Sequence, residues 1–143
     1  MLTLGSVSLA IAAGLNALAA IAHIACVVIG PSAYRFFGAG EAMAIAVEAG
    51  RLKPAIVTLA ISAMLMVWAA YALSASGFIG RLPLTRFVVL SITLVYLGRA
   101  LAFPLLRPAF PENSTMFWLV SSGICLVIGT LHAYGLAARW SVL

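Results

Sequence analysis

Few side chains in this sequence can do chemistry, and those that can stand inside or beside long apolar runs. His23 and His132 are its two histidines, Arg99 is a lone cation in an otherwise apolar stretch, and Glu41 and Glu48 follow the first run. An imidazole can act as acid or base near neutral pH, and a neighbouring carboxylate can orient it or share its proton. A guanidinium offers five fixed donors, which suit a carboxylate or phosphate better than a single hydroxyl. His23 with Glu41 or Glu48 is therefore the candidate catalytic set. Arg99, His23, Tyr96, Ser62 and Ser122 form the candidate ligand-binding set. No nucleophile elbow, paired carboxylate or metal-ligand spacing accompanies them, so neither a metal nor a named reaction is predicted.

Bis-histidine haem ligation is the one cofactor that the two histidines could suggest. If their helices run straight, His23 and His132 lie roughly 18 Å apart along the membrane normal. One haem does not bridge that distance easily, and no cofactor is predicted. Cys26 and Cys125 both fall in apolar runs without a partner at ligand spacing, and pack as small apolar residues.

The elements that must position these groups are four apolar runs, Leu4 to Gly30, Pro54 to Ala75, Phe87 to Leu106 and Met116 to Leu136. At 1.5 Å per residue, each reaches across a hydrocarbon core of about 30 Å. The chain is 65% hydrophobic and 8% charged, against about 25% charged residues in a soluble domain. The fold class is an all-α integral membrane bundle of four transmembrane helices, one domain over 1–143. The first run lacks a basic leader and carries His23 near its end, so it reads as a membrane helix rather than a signal peptide.

Punctuation sets the boundaries. Gly30-Pro31 closes the first helix, Pro54 suits the first turn of the second, and Ser114 or Thr115 can cap the last. The connector Pro31 to Lys53 is long. From about Ala39 to Leu52 it predicts a short amphipathic helix between helices one and two, with Glu41, Glu48 and Arg51 on one face. This interfacial segment, about 34–53, is either a solvated surface connector or a lid.

Even crossings put both termini on one side of the membrane and the lid with the Arg107 to Thr115 connector on the other. Lysine and arginine are almost evenly divided between the two sides, and the termini are assigned to the cytoplasm of a bacterial inner membrane. Arg99 falls about 4 Å past the middle of the third run, on the lid side. A charge there costs at least about 2.5 kcal/mol. It is predicted to face the interior near His23, meeting Glu41, Glu48 or a bound anion. Asn16, Ala19, His23 and Cys26 recur at helical spacing, as do Ser122, Cys125, Gly129 and His132. Both stripes read as close helix interfaces.

Three function classes follow. The first is binding or movement of a small amphipathic or lipid-like molecule, with Arg99 on an anionic head. The second is a membrane-embedded enzyme using His23 with Glu41 or Glu48, and the third an accessory subunit packing on another membrane protein. Expected partners are membrane lipids, an anionic amphipathic ligand and further subunits, as homo- or hetero-oligomers. The eight basic residues are dispersed, which argues against nucleic acid.

Overall fold

The structure, a computed structural model, describes residues 3–143, and among these every regular element is a helix. Four long helices are α1 (Leu4–Ile29), α4 (Lys53–Ser76), α5 (Thr85–Leu101) and α7 (Thr115–Arg139). Between them lie α2 (Pro31–Phe36), α3 (Glu41–Glu48) and α6 (Phe103–Leu106). Three helices are long and apolar enough to cross a membrane, and α5 with the bent segment after it would make a fourth.

Local chemistry explains the boundaries. The Thr3 hydroxyl accepts from the Ser6 amide, and the Ser114 hydroxyl from the Phe117 amide, so α1 and α7 both start on side-chain caps. Pro54 occupies the first turn of α4, where its missing N–H costs nothing. Gly77, at φ 88°, closes the same helix in a left-handed conformation.

One expected element is corrected and another is shortened. The third apolar run is not one helix to Leu106: α5 stops at Leu101 and the chain bends by 64° into Phe103–Ala109. Pro104 removes an amide donor and its ring clashes with the carbonyl four residues earlier, so a straight helix cannot pass. The short amphipathic helix expected over about 39–52 is present but briefer, as α3, and an additional short helix precedes it, so the connector holds α2 and α3. Gly38 and Gly40 sit between them at φ 70° and 97°, a left-handed kink that no helix continues through. Gly50, at φ 69°, follows α3.

The bundle is packed inside out relative to a water-soluble domain. On α1 the buried residues are mostly small or polar, among them Ser6, Ser8, Ala12, Ala13, Asn16 and Ala20. Leu18, Ile21 and Val28 of the same helix are exposed, at 62%, 60% and 80%. Small residues let helix backbones approach closely, while the larger apolar side chains point outward. α1 packs closest on α4, and α7 lies between α5 and α1.

Hydrogen bonds show which segments share an end. At one end, Arg139 of α7 donates from Nε to the Ala75 carbonyl at 2.7 Å and from Nη1 to the Ser6 hydroxyl at 2.5 Å. There Arg86 also donates to the Leu143 carbonyl at 2.8 Å. At the other end, Glu112 and Asn113 of the α6–α7 connector bond to the Glu41 amide and the Gly38 carbonyl at 2.9 and 3.2 Å.

Candidate functional site

The helices α2 and α3 fold back over the ends of α1 and α4. Cys26 of α1 joins Ala33, Tyr34 and Ala44 in a small buried core, with Met43 and Val47 packed against it. Beneath this cover lies a cavity of about 240 Å³. His23 and Cys26 line it from α1, Thr58 from α4, and Tyr34, Phe37 and Met43 from the lid. No charged side chain stands on its wall.

His23 is held within its own helix. Its Nδ1 lies 2.7 Å from the Ala19 carbonyl. A carbonyl can only accept, so Nδ1 carries a proton, and in its uncharged form the ring keeps a lone pair at Nε2. Tyr34 is 1% exposed and its hydroxyl has no hydrogen-bond partner. Buried hydroxyls are nearly always paired, which makes this one the most conspicuous polar atom of the cover.

Glu41 and Glu48 do not approach His23 or Arg99. Both are taken by Arg35, a residue outside the candidate sets: Nε and Nη2 grip Glu41 at 2.9 and 2.6 Å, and Nη1 reaches Glu48 at 2.8 Å. The expectation that a lid glutamate meets Arg99 is therefore corrected. The kink at Gly38 and Gly40 turns α3 back beside α2, which brings Arg35 within reach first. Glu112 accepts from the Glu41 amide, so all three acidic residues of the chain gather on this latch.

The Arg35 hydrogen bonds hold the Glu41 carboxyl below the ordinary glutamate range, and the two carboxylates push the guanidinium further up. A carboxyl with a lowered folded-state pKa contributes stability that is present above its ordinary value. That stability is lost as pH falls through the lowered one. Amide protection factors over 39–52 should accordingly drop as pH is taken below the ordinary carboxylate range, while those of α4 hold. Arg35→Gln should loosen the lid in the same way at neutral pH, and unchanged protection in that variant would show that the latch does not restrain the lid.

The remaining candidates occupy three other places. Arg99 lies in the last turn of α5, about 9 Å past the middle of that helix rather than 4 Å, because α5 ends early. Its Nη1 and Nη2 donate to Ser122 and Ser121 at 3.4 and 3.3 Å, and its guanidinium covers the Trp118 ring at 5.1 Å. A cation at a helix C-terminus over an indole is favourably placed. Ser62 donates to the Ala20 carbonyl at 2.9 Å, tying α4 to α1. Tyr96 donates to Asn16 Oδ1, and Asn16 Nδ2 lies 3.3 Å from His132 Nε2. Asn16 and His132 are both 0% exposed. Of the proposed set, then, His23 alone reaches the lidded cavity.

Protein-family models, curated proteins and solved structures contain no match to this chain. Function has to be read from the site itself. The sequence reasoning grouped Thr58 with His23 by depth and put Asn16 on a helix interface, but missed Tyr34 as part of the cover. Tyr34 carried a legible signal, as the one tyrosine of the lid connector. The Ser122, Gly129 and His132 stripe is buried against α5 and α1, and is thus an interface within the chain.

Proposed function

We propose that the chain crosses a membrane four times, as a single domain with both termini in the cytoplasm, and binds or moves a small amphipathic molecule in the lidded cavity beside His23. The inside-out packing supports the membrane setting, since Leu, Ile and Val cover the outside while small and polar residues fill the interior. The gathering of connectors at two opposite ends supports an even number of crossings. A bacterial inner membrane fits this arrangement, with its lipids as the source of ligand.

The observation that carries the binding role is the cavity: about 240 Å³, walled mainly by apolar side chains, with His23 and Thr58 among them. A few polar groups in an apolar concavity are the usual composition of a small-molecule site. The Arg35 latch, next to the kink at Gly38 and Gly40, gives that cavity a cover that can move.

Native mass spectrometry of protein released from lipid nanodiscs should find a small molecule retained by the wild type. Ala22→Phe, which fills the cavity from α1, should lose it at unchanged thermal stability. Equal retention in both would place the ligand elsewhere. Topology is tested separately by cysteine labelling in a background without Cys26 and Cys125. The termini and residues 77–83 should label from one side, and residues 38–40 and 111–113 from the other.

A further inference from the structure

We infer that the molecule held beneath the lid is uncharged and presents a hydroxyl group to Nε2 of His23, an inference that rests on reading the cavity as a ligand site. Charge is the first discriminator. No cation or carboxylate lines the cavity, and an ion placed among apolar side chains without a counter-charge is strongly disfavoured. Arg35 is engaged by Glu41 and Glu48, and Arg99 by Ser121, Ser122 and the Trp118 face. An anionic head therefore finds no arginine or lysine here. An amine would be a cation at neutral pH and fares no better.

Hydrogen-bond polarity is the second. With its Nδ1 proton given to the Ala19 carbonyl, the uncharged form of His23 offers only a lone pair at Nε2, which needs a donor. Ethers, esters and ketones supply none. The Tyr34 hydroxyl, though unpartnered, has almost no accessible surface and does not open on the cavity. A hydroxyl is the smallest group that donates to an imidazole and can accept a bond in return. Thr58, on the same wall, can take part on either side of such a bond.

Size is the third. At about 30 Å³ for each water in the liquid, 240 Å³ holds roughly eight such volumes. That accommodates the hydroxyl end of an alcohol and a few carbons, not a whole lipid. The rest of the chain would follow the apolar outer faces of α1 and α4, where Ile24, Val28 and Ile56 are exposed. The ligand class is thus a neutral alcohol with an apolar chain.

The test uses the full chain in nanodiscs and a long-chain alcohol carrying a photoactivatable diazirine, with peptide mapping of the label. Saturable labelling is expected in residues 22–43. The unlabelled alcohol should compete about twofold to tenfold better than its methyl ether, the range that one hydrogen bond supplies, and better than the matching carboxylic acid. Thr58→Val keeps the shape of the wall and should lower the alcohol's affinity by a similar factor. His23→Phe should erase the preference for alcohol over ether. Equal competition by the ether or the acid would overturn the hydroxyl assignment and leave the cavity reading standing. Absence of saturable labelling by any of the three chemistries, each carried on the same probe, would overturn both.

Discussion

Asn16→Leu should lower the stability of the bundle by about 2–3 kcal/mol, more than any exchange of a surface-facing residue. His132 Nδ1 is bonded to the Ile128 carbonyl at 2.9 Å, so its Nε2 can only accept, and it accepts from the Asn16 amide nitrogen. The Asn16 oxygen in turn accepts from Tyr96. Asn16 is therefore the middle of a directed chain that joins α1, α5 and α7. Leucine in its place strands a phenol and an imidazole nitrogen in a site with no water to replace the partner. Interhelical hydrogen bonds in membranes average about 0.6 kcal/mol because the separated helices find other partners. Two stranded groups on residues only 7% and 0% exposed move this case towards the upper end. Thermal unfolding in detergent measures it. In a Tyr96→Phe background the same exchange should cost less, since one of the two partners is already gone. A cost independent of residue 96 would mean that the tyrosine and asparagine are not coupled.

The sequence made the long helices legible because twenty apolar residues in a row have few alternatives, and because Gly30-Pro31 and Ser114 are strong punctuation. The expected starts of helices four and one agree with the caps on Ser114 and Thr3. Depth along a straight helix proved the weaker guide. It grouped Tyr96 with Arg99 and set His132 apart, whereas the long Tyr96 side chain reaches Asn16 and stacks on the His132 ring at 5.8 Å. A count of polar residues by depth does not show which ones side-chain reach brings together.

The candidate site was legible in part for a related reason. Spacing placed His23 on a small-residue stripe near the lid, and the structure keeps it there. Spacing could not tell which acid takes which base. Arg35 and Glu41 are six residues apart with two glycines between, and only the positive φ values at those glycines make the pair bidentate. The lid's sequence identified the charges, but its kink decided their partners.

Gly135→Val should damage the fold at least as severely, by about 3 kcal/mol, near the upper range for overpacking a tight contact. The α1 and α7 backbones meet at Gly5 and Gly135: a Cβ on Gly135 would lie 3.0 Å from the Gly5 carbonyl oxygen and overlap the Leu9 side chain, and one on Gly5 would lie 2.8 Å from Ala138 Cβ. Leu9 is 0% exposed and has nowhere to turn. Pushing α7 away would also stretch the Ser8 bond to the Leu131 carbonyl, now 2.8 Å, and pull Arg139 from Ser6 and Ala75. The steric and polar losses fall on one interface, so they arrive together. Gly123→Ala supplies the control, because a Cβ there meets nothing within 4 Å, and alanine favours helix by up to about 1 kcal/mol. Melting in detergent should separate the two variants clearly, with Gly123→Ala at or above the wild type. Leu9→Ala should relieve part of the damage of Gly135→Ala but not of Gly135→Val, since the Gly5 carbonyl cannot move aside. A Gly135→Val protein that melts with the wild type would show that α1 and α7 are not in contact at these glycines.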